Sequence, residues 1–182
     1  MKDIIKQIFY TFLITTCLSA QWSTDLSSPQ LLGSGIQPQI ASTSDGGAYI
    51  TWITDGNYHV YVQRMDELGM QQFGDAGLLV SDNDNASWIA VFHLNIVVDG
   101  DDNAIISTVD QRTGSWEVYA WKVSPDGSML WGEDGLSVTN SSTGNMSPRL
   151  TILEDNSLII TSSHNDGEIL FQLISSDGLI MG

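Results

Sequence analysis

"MDELGMQQFGDAGLLV" occupies Met65–Val80, and "SPDGSMLWGEDGLSV" occupies Ser124–Val138. Each contains a turn, an aromatic-glycine pair, a further glycine and an apolar tail. When residues 60–81 are laid on 118–139, seven of 22 positions are identical, where composition alone gives about one or two. The matches are Val60, Tyr61, Gly69, Gly74, Gly77, Leu78 and Val80 on Val118, Tyr119, Gly127, Gly132, Gly135, Leu136 and Val138. Phe73/Trp131 and Arg64/Lys122 are conservative pairs in the same frame. Upstream the offset shortens by two residues, setting Ile40 on Ile96 and Ala48 on Ala104. That difference falls in the turn between the second and third strands of the unit, where insertions are tolerated. A fainter third copy follows, with Asp177-Gly178 echoing Asp126-Gly127 and Met181-Gly182 echoing Trp131-Gly132.

Around these corners the chain alternates short β-rich runs with turn chemistry. "AYITWI", "HVYVQRM", "NAIISTV", "WEVYAWKV", "SLIITSS" and "EILFQLIS" are rich in β-branched and aromatic residues. "SDGG", "DGN", "SPDGS" and "HNDG" separate them, because Asp-Gly and Asn-Gly pairs reach positive φ at low cost. No run has sustained helical periodicity. Four antiparallel strands per repeat of roughly 50 residues is the mark of a β-propeller blade. The fold class expected is therefore all-β, with propeller-like repeats of four-stranded antiparallel blades. Ring closure takes roughly four to eight blades, so an incomplete propeller, a fragment of a longer protein, is expected. A complete β-sandwich of repeated meanders is the alternative. The boundaries read as 1–20 signal peptide, 21–36 lead-in, 37–85 first repeat, 86–145 second repeat and 146–182 truncated third repeat.

The start of the chain has its own chemistry. Lys2 and Lys6 precede the apolar run "IFYTFLITTCLSA", and "QWSTD" then turns polar. This is the layout of a secretory signal peptide, with cleavage after Ala20. The run is shorter than the roughly 20 residues a membrane anchor needs. Cys17 raises a lipoprotein reading, but "ITTC" is a poor lipobox. Cys17 is also the only cysteine, so a chain starting at Gln21 holds itself together without disulfides. The net charge is −16, and beyond residue 20 the only cations are Arg64, Arg112, Lys122 and Arg149. That excludes the clustered Lys and Arg that phosphate backbones require, so nucleic acid is not an expected partner. An anionic membrane surface is disfavoured for the same reason.

The run "DGGAYITW" with "YVQRMDELG", "FGDAGLLVS" and "YAWKVSPDGSMLWGEDGLSVT" resembles the repeats of large secreted bacterial β-propeller proteins. The matching residues are Gly46-Gly47, Trp52, Tyr61-Val62-Gln63-Arg64 and Trp131-Gly132 with Gly135. The second copy departs, with Thr108 where Trp52 would recur and Trp121-Lys122 in place of Gln63-Arg64. The resemblance covers about residues 37–182. It implies a cell-surface protein or type IX secretion cargo and no particular reaction.

Candidate chemistry is sparse. "DGDDN" places Asp99, Asp101 and Asn103 at alternate positions, which suits calcium, although "AIIST" follows without a further carboxylate. A solvated hairpin turn is the competing interpretation. "SDNDN" at Ser81–Asn85 is a weaker metal candidate of the same kind. "TSDGGAYI" and "SPDGSMLW" approximate the Asp-box of sialidase-like propellers, itself a structural turn. His59, His93 and His164 are scattered, and no Gly-x-Ser-x-Gly elbow occurs. Among the aromatics, Tyr61 and Tyr119 recur in register and read as core. Tyr58 and Trp116 flank turns and are the candidates for stacking on a ligand. The expected function is a non-enzymatic, exported binding or adhesion scaffold for a protein or glycan partner. The alternative is a glycoside hydrolase-like enzyme using carboxylates near the propeller axis, whose pairing in space no linear pattern reveals.

Overall fold

The computed structural model describes residues 25–83 and 94–181. The signal-peptide region, Cys17, His93 and the Asp84-Asn85 end of "SDNDN" lie outside the described residues. The chain divides into residues 1–31 and 32–182. Within the first unit, Asp25 accepts hydrogen bonds from Ser27 and Ser28 in a turn. Among its described residues the second unit contains twelve strands and no α-helix.

The strands form three four-stranded antiparallel sheets, each an up-and-down meander. The first holds β1 (Ile36–Ser42), β2 (Ala48–Ile53), β3 (Val60–Met65) and β4 (Leu78–Ser81). The second holds β5 (Asn95–Val98), β6 (Ala104–Asp110), β7 (Glu117–Val123) and β8 (Leu136–Ser137). The third holds β9 (Asn145–Ile152), β10 (Leu158–His164), β11 (Ile169–Ile174) and β12 (Ile180–Met181). Pairing follows the repeat: Ile40 faces Ile50 and Ile50 faces Gln63, as Ile96 faces Ile106 and Ile106 faces Trp121. Tyr61 lies between Trp52 and Leu79, and Tyr119 between Thr108 and Ser137. The two tyrosines are equivalent, as the sequence alignment requires.

The third copy needs one correction. Ile180 pairs with Ile174, which matches the isolated bridges Met65–Gln71 and Val123–Met129 at the start of the earlier corners. Met181 therefore corresponds to Leu130 and not to Trp131, and β12 is the corner's bridge drawn out into a short strand.

The sheets pack face to face. One core joins Tyr49, Ile53, Val60 and Val62 of the first sheet to Ile106, Tyr119 and Trp121 of the second. The next joins Ile105, Val109, Val118 and Ala120 of the second to Leu158, Ile160 and Ile174 of the third. Each sheet thus offers one set of alternate residues to the sheet before it and the other set to the sheet after. The central sheet is covered on both sides, and all seven residues of β6 and all seven of β7 are buried. That is why "AIISTVD" and "EVYAWKV" do not alternate as a half-exposed strand would.

The repeated corner explains the repeated sequence. The Phe73 ring lies 3.3 Å from where a Cβ on Gly127 would stand, and the Trp131 ring lies 2.8 Å from that point on Gly178. Gly127 and Gly178 are equivalent Asp-Gly turns in successive sheets, at φ 88° and 90°. The corner aromatic of one repeat therefore seats on the turn glycine of the next. Inside each corner a β3 or β7 side chain ties the loop down. Buried Gln63 donates to the Gly74 carbonyl (2.6 Å) and accepts from the Phe73 N–H (2.9 Å). Trp121 does the same work by donating its indole N–H to the Glu133 carbonyl at 3.1 Å. Trp52 and Trp121 also exchange places: Trp52 covers Gly77 in the first sheet, and Trp121 covers the equivalent Gly135 in the second.

The second corner supplies an internal control. Gly132 and Gly135 both have positive φ, but a Cβ on Gly132 meets nothing within 4 Å. One on Gly135 meets Trp121 at 2.6 Å and the Ala120 carbonyl at 2.9 Å. Gly132→Ala is expected to cost about 1 kcal/mol of unfolding free energy, from backbone strain alone. Gly135→Ala adds overpacking against a main-chain atom and is expected to cost about 2–4 kcal/mol. Chemical denaturation of the two variants measures the difference, and equal losses would contradict this packing.

Candidate functional site

The two-residue difference between repeat offsets has a structural meaning. In the first sheet the β2–β3 pairing ends at Ile53–Val60, which corresponds to Val109–Val118. The second sheet continues for one more cross-strand pair, Asp110–Glu117. The two extra residues lie in the loop 111–116, and at its base Asp110 and Glu117 form a cross-strand pair of carboxylates where the first sheet has Thr54 and His59. Both carboxylates are buried, at 0% and 2% exposure.

Like charges so placed repel, and each is compensated separately. Asp110 accepts from Arg112 Nε at 2.8 Å and Nη2 at 2.5 Å. The guanidinium in turn lies 3.7 Å from the centroid of the Tyr119 ring, a cation–π contact. Glu117 pairs with no cation among the described residues. It accepts from the Ser141 N–H (2.5 Å), the Thr139 hydroxyl (2.5 Å) and Asn145 Nδ2 (3.0 Å). Those donors belong to the crossover from β8 to β9, so Glu117 fixes that crossover over the end of the second sheet.

Between this crossover and the third sheet lies a cavity of about 300 Å³. Its polar side chains are Thr139, Asn140, Ser141, Asn145, Ser162 and Gln172, all neutral, set beside apolar Val138, Ile160 and Leu170. Asn145 is 1% exposed, and its Oδ1 is buried without a hydrogen-bond partner among the described residues. His164, at the end of β10, reaches the same crossover. Its Nε2 lies 2.5 Å from Thr143 Oγ1 and 3.1 Å from Ser141 Oγ.

The residues singled out from the sequence sit elsewhere or serve the fold. Asp99 is buried in the β5–β6 turn, 2.8 Å from Lys122 Nζ, and accepts from the Asp101 and Asn103 N–H groups and from Asn103 Nδ2. Lys122 also donates to the Ser176 carbonyl of the third sheet at 2.9 Å. Asp101 accepts from Asn156. Asp99 and Asp101 thus accept from protein donors, Asn103 is one of those donors, and no group of three His, Cys, Asp or Glu side chains is disposed around a metal position among the described residues. Tyr58 and Trp116 are half-buried, packed on the first and second cores respectively. Trp116 adjoins the cavity, since its carbonyl accepts the Asn145 N–H at 2.6 Å. His59 is confined to its own turn, where its N–H and carbonyl bond to Thr54. In the Asp-box approximations, Asp45 and Asp126 accept from Thr43 and Ser124 within turns. Their carboxyls lie below the ordinary range mainly because of those hydroxyl bonds.

A second groove of about 710 Å³ runs along β4 and the second corner, with Asp82, Glu133 and Asp134 exposed in its wall. What sequence reasoning missed is the cavity and the contact of His164 with the crossover beside it. Its members come from residues 138 to 172, and no local spacing announces them. The two-residue insertion was the one visible signal, and it marked the right end of the sheets.

Burial pushes the Asp99 carboxyl up, but Lys122, Asn103 and two backbone N–H groups more than offset it, leaving the carboxyl below its ordinary value. A depressed folded value means stability that is complete above the unfolded value of about 3.9 and lost as pH falls through the folded one. Asp99→Asn is expected to flatten the acid side of the stability–pH profile below about pH 4. It should also cost about 3–5 kcal/mol near neutrality by stranding Lys122. Urea unfolding between pH 2 and 7 tests both, and an acid limb unchanged in Asp99→Asn would contradict this role.

No family model matches the chain, and no curated protein matches it. Solved structures similar to it include these two. One is a protein assigned as an exo-beta-1,3-galactanase from Bifidobacterium bifidum s17, at TM-score 0.48 and 14% identity over 87% of this chain and 54% of that one. The other is an endo-arabinase from Bacteroides thetaiotaomicron VPI-5482, at TM-score 0.40 and 16% identity over 86% and 62%. The chain spans less than two thirds of the length of either.

Proposed function

We propose that the chain is part of an exported β-propeller that binds carbohydrate, with the crossover end of the second and third sheets holding a neutral saccharide. The carrying observation is the lining of the 300 Å³ cavity, whose polar side chains are all uncharged and include the orphaned, buried Asn145 Oδ1. Sugar hydroxyls both donate and accept, so neutral amide and hydroxyl groups beside apolar surface suit them. A buried acceptor without a donor is costly until a ligand supplies one. The acidity of the chain, −16 overall, disfavours anionic glycans. Repeated sheets supply rigidity, and the loops joining them supply the recognising groups.

Hydrolysis is the second reading, and Asp110 with Glu117 is the observation that favours it. Paired carboxylates about 5–5.5 Å apart serve retaining glycosidases. In the resting arrangement both are sealed, Asp110 by Arg112 and Glu117 by three crossover donors. Binding is therefore the better-supported role.

Calorimetric titration with neutral galacto- and arabino-oligosaccharides, alongside a reducing-sugar assay on the parent polysaccharides, separates the two. Saturable binding without product release is expected, weakened about 5-fold or more in Gln172→Ala through loss of one hydrogen bond. Release of reducing ends that Glu117→Gln abolishes would put hydrolysis in its place. No binding across the neutral panel would remove the reading.

A further inference from the structure

The crossover end contains a second arrangement, which shares Ser141 with the cavity lining. Ser141 Oγ lies 3.1 Å from His164 Nε2, and His164 Nδ1 lies 3.5 Å from Asp166 Oδ2. Hydroxyl and imidazole thus stand within reach for the base to take the hydroxyl proton; the Asp166 N–H faces Nδ1 at 3.5 Å, and the Asp166 carboxylate flanks the ring, where it pairs with the imidazolium once the proton has moved. The three come from separate elements. Ser141 is on the β8–β9 crossover, His164 ends β10, and Asp166 sits in the β10–β11 turn.

Several features fix this set. The Ser141 N–H is held by Glu117 at 2.5 Å, which sets the backbone from which the hydroxyl projects. The Thr143 hydroxyl lies 2.9 Å from Ser141 Oγ and 2.5 Å from His164 Nε2, closing a three-membered ring of contacts. The Thr143 N–H donates to Ser141 Oγ at 3.2 Å, which holds the hydroxyl oxygen in place. His164 is mostly covered, with 13% of its side chain exposed, whereas Asp166 is open to solvent at 70%. Ser141 lines the cavity and Thr143 does not, so a substrate in the cavity meets Ser141.

We infer that Ser141, His164 and Asp166 form a hydrolytic site for a carboxylic ester bound in the cavity. Ser141 Oγ attacks the ester carbonyl carbon while its proton passes to His164 Nε2. The carbonyl electron pair moves to oxygen and then returns. Return of that pair breaks the bond to the alkoxide, which leaves with the proton from His164. The acyl group is now on Ser141. A water molecule repeats the sequence, giving its proton to His164 and its oxygen to the carbonyl. Ser141 recovers its proton, and the carboxylic acid departs. No metal, oxidant or cofactor enters the balance. The inference stands on this cluster and the cavity, and it does not require the ligand to be a sugar.

A fluorophosphonate probe reports the nucleophile directly. The whole chain is treated with the probe, and intact mass and peptide mapping locate any adduct. One adduct on Ser141 is expected, absent from Ser141→Ala and formed at least about 100-fold more slowly in His164→Gln, the usual contribution of a general base. Thermal melts establish that each variant is folded. Should His164→Gln not fold, Ser141→Ala and the mapped adduct decide the matter alone. No adduct on the folded wild type, an adduct mapped elsewhere, or undiminished labelling of Ser141→Ala would overturn the assignment. Labelling at Ser141 in a protein that binds no neutral glycan would sustain this site and remove only the carbohydrate reading.

Discussion

A four-stranded sheet with apolar side chains on both faces cannot stand alone in water, and everything else in this structure follows from that. Each sheet must be covered by a neighbour, and the neighbour is a near-copy of itself. The solution is directional. Tyr49, Val60 and Val62 of the first sheet meet Ile106 and Trp121 of the second. The second sheet's other face, with Ile105 and Val118, meets Leu158 and Ile160 of the third. Two devices keep successive sheets in the same orientation. Corner aromatics seat on the next sheet's turn glycine, Phe73 on Gly127 and Trp131 on Gly178. First-turn backbone groups bond to the next sheet's left-handed Asx residue, Ser44 N–H to Asp102 at 2.7 Å and Gly100 N–H to Asn156 at 2.8 Å. Asp102 and Asn156 have φ of 59° and 63°, a conformation that Asp and Asn tolerate better than most residues.

The polar end of the sheets depends on that rigid frame. The Asp110–Glu117 pair puts two carboxylates where the first sheet has Thr54 and His59. The fold answers with Arg112 on one and three crossover donors on the other. A buried carboxylate fully supplied with hydrogen bonds orders whatever supplies them. Here that is the 138–145 crossover, and with it the cavity wall, Ser141 and the neighbours of His164. The same economy appears at Asp99 and Lys122, where a buried pair in one sheet also grips the Ser176 carbonyl of the next.

Much of the architecture was legible in residues because its causes are local and repeated. Asp-Gly turns need positive φ, corner aromatics need glycine beneath them, and strands need β-branched residues, so each leaves a mark at a fixed interval. The offset change between repeats was visible too, and it pointed to the correct hairpin. The role of individual side chains was less legible. Asp99, Asp101 and Asn103 look like cation ligands in a linear string, but Lys122 lies 23 positions further along the chain and cannot be paired with Asp99 by spacing. Trp116 and Tyr58 flank turns and so read as exposed, yet neighbouring sheets cover half of each. The Ser141–His164 contact joins residues of two different elements. The antiparallel pairing of β9 with β10, which sets Asn145 opposite His164, brings them together.

If each repeat completes the next, damage to one corner must be felt in the sheet beyond it. Hydrogen–deuterium exchange on Trp131→Ala measures this most directly, since amide protection reports local opening strand by strand. Protection is predicted to fall in β11 of the third sheet and in the Ser175–Leu179 turn, while β2 and β3 of the first sheet keep theirs. Loss confined to the second sheet, with β11 and that turn as protected as in the wild type, would contradict the account.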